Sequence, residues 1–333
     1  DLPAGGSIRF NDAGVTTTNL VESPVAGLRS SYGGALDAVR SATGSLADGA
    51  SIEMATVARS VEGIVDSSVQ QSGAALLLAT VKSHDEYTYF HSVNVCIMAI
   101  ALGRLLGLEK SALVPIGVGS LLHDIGKIAV SAKVLQHPGR LDDAMWKEIQ
   151  LHPQEGAQAI LAAGGPGHEL AATIAFEHHA RFDGSGYPAV ARRARPHLFS
   201  RLVAVSDTYD AITTRRSYRR AETPNRALSV LLGHIGGSYD PDLVRAFIKM
   251  MGVYPPGSVL ELQSGVTVLV THMEEEQEIE AHAVIVKGSD GVALSSPEPV
   301  TVRLEDVVAQ VLPEVAGVDP AALLEKIAQH VKT

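Results

Sequence analysis

Five histidines and two aspartates in the middle of the chain have the types and the neighbours of metal ligands: His91, His123, His152, His178 and His179, with Asp124 and Asp207. Imidazole and carboxylate without thiolate suit Fe, Mn, Zn, Co or Ni. The densest block is Leu121-Leu122-His123-Asp124-Ile125-Gly126-Lys127. One carboxylate can bridge two divalent ions while the imidazole beside it binds either, so the His123-Asp124 dyad suits a binuclear centre. On a helix, Lys127 follows His123 by four residues and Asp124 by three, and all three side chains project toward one side of a pocket. A His-Asp dipeptide alone is more often a helix cap or a surface pair; the other histidines and Asp207 change that by supplying the remaining donors that two ions need. Adjacent helical side chains point about 100° apart, so His178 and His179 can serve neighbouring metals, or one metal and the shell around it.

Beyond the His pair and Ala180-Arg181-Phe182 comes Asp183-Gly184-Ser185-Gly186-Tyr187-Pro188. Its glycines permit positive φ and close approach of backbone to a ligand, Pro188 fixes the exit direction, and Tyr187 is placed to contact a substrate or a partner. Taken by itself, this string is an ordinary helix-breaking turn. Nine of the 27 basic residues are arginines packed between Arg181 and Arg220, against three aspartates, which points to an anionic small ligand. Asp210 reads as a local cap or pair, and Cys96, in an apolar helical stretch, as a core thiol.

The blocks His123-Asp124-Ile125-Gly126-Lys127 and His178-His179 through Tyr187-Pro188 closely resemble the HD-GYP family of cyclic di-GMP phosphodiesterases. The likeness covers residues 82–252 and extends to Tyr87-Thr88-Tyr89-Phe90-His91, His152-Pro153, Asp207-Thr208-Tyr209-Asp210 and Gly237-Ser238-Tyr239-Asp240-Pro241. It implies metal ligands His91, His123, Asp124, His152, His178, His179 and Asp207, with Asp124 and Lys127 catalytic and Lys127 at the reacting phosphate. It also implies Arg216 and Arg219 on the dinucleotide, and a pocket shaped by Asp183, Gly186, Tyr187 and Pro188 that offers a surface to a regulatory protein. The implied reaction is attack by a bridging hydroxide on cyclic di-GMP, giving linear pGpG and, with continued cleavage, GMP. Family members with a third metal carry a glutamate four residues before the first ligand histidine; Tyr87 stands there, so two divalent ions are expected, Fe or Mn first. The glutamate that often follows the His pair is Ala180 here. That departure keeps alive a catalytically weak cyclic di-GMP sensor or adaptor as an alternative, beside an HD-domain hydrolase or di-iron oxygenase acting on another substrate.

These residues need a scaffold, and helical periodicity supplies one. Apolar residues recur at three and four spacing from Gly33 to Ala42, from Ser51 to Lys82 and again from Tyr87 to Met251. After Tyr254-Pro255-Pro256-Gly257, the runs 259–262, 266–271 and 281–286 read as short strands, and 320–331 as a terminal helix. The expected fold is therefore mainly α: an HD-domain helical bundle (82–252), preceded by a linker, a strand-like piece at 7–10 and helices (1–81, a remnant of a regulatory domain), and followed by a small β-rich unit (253–333).

The formal net charge of -10 argues against a nucleic-acid polymer or a membrane surface as partner. The single cysteine excludes an internal disulfide framework and fits the cytoplasm. No apolar run is expected to approach the roughly 20 residues of a spanning helix. A homodimer is compatible with these features.

Overall fold

The computed structural model describes residues 24–70, 72–80, 87–165, 167–189, 195–214, 221–273, 280–319 and 323. The strand-like piece at 7–10, Arg216, Arg219 and most of the terminal helix lie outside them. Helices come first: α1 (Pro24–Ala47), α2 (Met54–Gln70), α3 (Ser72–Thr80), α4 (Tyr87–Leu105), α5 (Lys110–Leu122), a 3-10 turn (Ile125–Ala129), α6 (Ala132–Leu135), α7 (Asp143–Ile149), α8 (His152–Ala163), α9 (His168–Glu177), α10 (Leu198–Thr213), α11 (Pro224–Gly233) and α12 (Pro241–Met251). Strands β1 (Val259–Leu262), β2 (Thr267–Met273), β3 (Glu280–Lys287), β4 (Ala293–Arg303) and β5 (Val307–Val311) then form an antiparallel sheet in the order β4-β3-β2-β1-β5, followed by α13 (Pro313–Ala316). The mainly α architecture with a small C-terminal sheet agrees with the sequence pattern.

Local chemistry sets several boundaries. Asp142, Thr223 and Asp240 each accept a hydrogen bond from the first turn of the helix they precede, α7, α11 and α12. Pro224 and Pro241 open α11 and α12, where a missing N–H costs no hydrogen bond. Strand β4 escapes a sequence reading because Pro297 and Pro299 interrupt it; the sheet tolerates them because β4 is an edge strand.

The centre of the bundle is α4, buried all round through Val93, Val95, Ile97, Met98, Ile100 and Leu102, with Cys96 among them. Burial pushes the Cys96 thiol up, out of the range of a nucleophile. Leu28, Leu36 and Val39 of α1 and Val57, Val61 and Ile64 of α2 belong to the same core as Val244, Phe247 and Met251 of α12. Each such side chain contributes about 1.5–3 kcal/mol by burial, so apolar packing ties the first two helices to the bundle. Among the described residues one helical stretch, Lys110–Ala129, is long and apolar enough to cross a membrane, where the sequence reading expects none. Its most apolar window is 67% buried inside this fold, and it delivers His123 and Asp124 to the interior.

Candidate metal centre

His91 lies within α4 and Asp207 within α10, while the other donors stand at helix ends. Helix α5 stops at Leu122, His123 is its C-cap, Asp124 leaves the helix (φ −98°, ψ 5°) and the 3-10 turn follows. The dyad thus straddles a helix end instead of riding one continuous helix, as its spacing predicts. His152 opens α8. Helix α9 ends at Glu177, so His178 and His179 occupy the turn beyond it and not a helical face. The C-terminal ends of α5 and α9 carry partial negative charge, which favours a cation beside His123 and His178.

Three imidazoles are locked in one tautomer. Nδ1 of His123 lies 2.6 Å from the Ser120 carbonyl oxygen, Nδ1 of His152 2.6 Å from that of Ile149, and Nδ1 of His178 2.7 Å from that of Ala175. A carbonyl only accepts, so each Nδ1 carries a hydrogen, and in the neutral ring Nε2 is the atom left with a lone pair for a ligand. Those lone pairs gather around Asp124. Its Oδ1 is 3.3 Å from His152 Nε2 and 3.8 Å from His178 Nε2; its Oδ2 is 3.3 Å from His123 Nε2 and 3.9 Å from His91 Nε2. The Nε2 atoms of His152 and His178 face each other at 3.2 Å, two acceptors with no hydrogen to share.

The donor atoms fall into two groups, each within 4.8 Å: Asp124, His152, His178 and His179, and His91, His123 and Asp124. Asp124 belongs to both. Asp207 places Oδ1 3.1 Å from His91 Nε2 and 4.0 Å from His123 Nε2. His123 Nε2 and Asp124 Oδ1 are buried without a hydrogen-bond partner, a situation that costs about 1–3 kcal/mol per group unless another species binds there. A carboxylate shared by two clusters of imidazole donors fits divalent cations, which either cluster could hold with Asp124 contributing to both.

Electrostatics agree. Burial drives His178 well below its ordinary value, helped by the neighbouring imidazoles, and takes His179 down to about 3 against the pull of Asp207, so both present lone pairs at neutral pH. For His91 burial opposes charge, but hydrogen bonds to Asp207 and Asp210 outweigh it and lift the imidazole to about 9. Its surroundings call for positive charge at Nε2, where a divalent cation would compete with a proton. Burial likewise opposes ionisation of Asp124, yet Lys127 and then His123 hold its carboxyl well below the usual carboxylate range. Stripping divalent ions from the protein with a chelator is expected to lower its melting temperature by roughly 5–10 °C, since an ion held at a thousand times its dissociation constant contributes about 4 kcal/mol. An unchanged melting curve would contradict ion binding in this buried cluster.

A cavity of about 470 Å³, in the size range of small-ligand sites, is lined by His178, His179 and Asp207 together with Trp146, Arg181 and Tyr187. The Tyr187 ring lies 4.7 Å from that of His179 and 6.0 Å from that of Trp146, which makes one wall aromatic. Gly186 takes φ 92°, and a β-carbon there would come within 2.4 Å of the His179 carbonyl oxygen, so glycine alone lets the loop fold back beneath Tyr187. Ala180 is buried and bridges Gly186.

Of the loop residues expected at a ligand, Gly186 and Tyr187 line this cavity, whereas Asp183 and Pro188 do not. Asp183 is exposed and its Oδ1 accepts a hydrogen bond from the Ser185 N–H at 2.9 Å; the carboxylate shapes the turn. Lys127 pairs with Asp124 and lines a second cavity of about 290 Å³ with Thr88 and Ser92.

The sequence reading misses the part that some residues play at the site. Asp210, read as a local pair, orients His91 instead: its Oδ2 accepts from His91 Nδ1 at 2.7 Å and from Thr214 Oγ1 at 3.2 Å, and its Oδ1 from Asn94 Nδ2 at 3.2 Å. The i, i+3 spacing of Asp207 and Asp210 is the signal that both carboxylates share a helix face. Trp146 and Gln150, one turn apart at α7, reach the cavity only because the fold brings that exposed helix over it.

Comparison with known proteins follows this geometry. The family model described as HD domain matches residues 76–243. The chain is 38% identical over 217 residues to a cyclic di-GMP phosphodiesterase of Pseudomonas aeruginosa, covering 65% of this chain and 52% of that protein. It is 37% identical over 145 residues to the cyclic di-GMP phosphodiesterase response regulator RpfG of Xanthomonas campestris (43% and 38% covered), and 32% identical over 175 residues to a 3'3'-cGAMP-specific phosphodiesterase of Vibrio cholerae (53% and 38% covered). The chain thus spans about half the length of the first relative and less of the other two. Among solved structures, an HDG"Y"P protein from Bdellovibrio bacteriovorus superposes with a TM-score of 0.56 at 16% identity, over 69% of this chain and 72% of that one, a likeness of fold. Since the model takes in half of the chain and its span contains every donor described above, this protein belongs to the HD-domain family and carries the HD-GYP blocks within it.

Proposed function

We propose that this chain hydrolyses cyclic di-GMP at a two-metal centre, opening the ring to linear pGpG, with GMP as the product of a second cleavage. The observation that carries the reading is the membership of Asp124 in two donor groups beside a cavity of small-ligand size. The names of the Pseudomonas and Xanthomonas relatives support the substrate. Fe or Mn is the first choice of ion, with Zn, Co and Ni as alternatives, since imidazole and carboxylate without thiolate accommodate all five and availability decides among them. Bound divalent ions supply Lewis acidity toward a phosphodiester oxygen and bring the pKa of water toward neutrality.

The chain's own residues do the rest. His91, His123, His152, His178, His179, Asp124 and Asp207 would hold the ions. Lys127, already paired with Asp124, adds positive charge where charge grows on phosphate oxygens. Arg181, in the cavity wall, offers a guanidinium to a phosphate, and Arg216 and Arg219 keep the dinucleotide-binding role that resemblance gives them. Trp146 and Tyr187 present ring faces to a guanine. The exposed turn at Asp183 is the surface offered to a regulatory protein.

Anaerobic assay of the Fe- or Mn-loaded protein with cyclic di-GMP, 3'3'-cGAMP and GTP tests this reading. Production of pGpG from cyclic di-GMP is expected. Tight binding without product would select a sensor, and preference for GTP a different HD-domain hydrolase. Replacing Trp146 with alanine is expected to raise KM for cyclic di-GMP about tenfold with little change in kcat, because stacking on an aromatic ring contributes about 1–3 kcal/mol per base. An unaltered KM would remove Trp146 from contact with the base.

A further inference from the structure

A chain of hydrogen bonds leads out of the metal centre into a helix that the HD-domain match does not include. Asp210 accepts from His91 Nδ1 at 2.7 Å and from Asn94 Nδ2 at 3.2 Å. Asn94 Oδ1 in turn accepts from the Tyr32 hydroxyl of α1 at 2.9 Å. Asn94, Asp210 and His91 are all buried, and the family match begins at residue 76, so Tyr32 approaches from outside it. The chain has one direction. A carboxylate only accepts, which turns the Asn94 amide nitrogen toward Asp210 and leaves its oxygen for Tyr32. Burial, and then the charge of Asp210, holds the Tyr32 phenol in its protonated, donating form. The Tyr32 ring also packs 6.2 Å from that of Phe90, next to His91, so the hydroxyl and the ring make separable contributions.

We infer that Tyr32 is a positioning residue for the metal centre: through Asn94 and Asp210 it fixes the orientation of the His91 imidazole, so that α1 sets the quality of the ligand group formed by His91, His123 and Asp124. The inference rests on the two-metal reading. Hydrogen-bond partners of ligand histidines commonly change metal affinity by about 10–100-fold; Tyr32 acts two bonds further out, and a loss of about threefold to tenfold is expected. Displacement of α1 would then weaken the centre without touching any ligand directly.

Tyr32→Phe keeps the ring and removes the hydroxyl. Ser31→Ala is the control, because Ser31 Oγ bonds Ser67 Oγ of α2 at 2.9 Å and so removes a neighbouring α1 hydrogen bond outside the relay. Cobalt affinity by chelator competition and the visible spectrum of the cobalt-loaded protein are read beside the melting temperature. The expected result is weaker cobalt binding and an altered visible band in Tyr32→Phe, with Ser31→Ala like the wild type in both. Wild-type affinity and spectrum in Tyr32→Phe, or the same change in Ser31→Ala, would overturn the inference. A wild-type protein that takes up no cobalt would overturn the metal-centre reading beneath it.

Discussion

Asp124→Ala is expected to abolish turnover, by a factor of at least about a thousand, and to empty both halves of the metal centre at once. The reason is geometric. Asp124 is the one residue common to the two donor groups, with Oδ1 toward His152 and His178 and Oδ2 toward His123 and His91. Removing it takes a negative charge from a buried site and deprives the half-buried Lys127 of its ion-pair partner. A substitution at His91 or His179 should instead weaken one group more than the other. Metal content and initial rate, measured on the same preparation, distinguish these outcomes; an Asp124→Ala protein with two ions per chain would refute the bridging role.

The second large effect is expected at a residue with no functional group. A β-carbon on Gly126 would lie 2.1 Å from the His152 carbonyl oxygen and 2.4 Å from the Gly156 nitrogen. Both neighbours are backbone at the start of α8, so no side chain can turn aside. Gly126→Ala must therefore push α8 away from the 3-10 turn, and His152 moves with it. A loss of about 3 kcal/mol or more is expected, at the upper end of overpacking penalties, together with impaired metal binding in the group that contains His152. Gly34→Ala provides the comparison: in α1, with nothing within 4 Å of the added carbon, it should leave stability unchanged or raise it by about 0.5–1 kcal/mol. Equal melting curves for the two variants would show that the close approach of the turn to α8 carries no weight.

This glycine shows where sequence reasoning reaches and where it stops. The donors were legible because imidazole and carboxylate are scarce in apolar helices, and blocks such as His123-Asp124 or His178-His179 have few other reasons to sit there. Their local geometry was not. A continuous helix through His123, Asp124 and Lys127 satisfies the spacing, yet the helix ends at Leu122, and the imidazoles use the carbonyls at helix ends to fix their tautomers. Spacing within one segment also says nothing of Trp146 or of the path from Tyr32 to His91, since both depend on packing between distant segments. Asp183 is placed at the pocket by the family resemblance, and in the fold its exposed carboxylate is held by a local hydrogen bond from the Ser185 N–H. The β4 strand was hidden by prolines that only an edge position permits.

Crystals grown with Mn or Fe, with the ions located by anomalous scattering, give the most direct view of the centre. Two peaks roughly 3.5–4 Å apart are expected, one among His91, His123 and Asp124, the other among Asp124, His152, His178 and His179, with the Asp124 carboxylate between them. Strong scatterers found only elsewhere on the protein, with these seven side chains binding no ion, would contradict it.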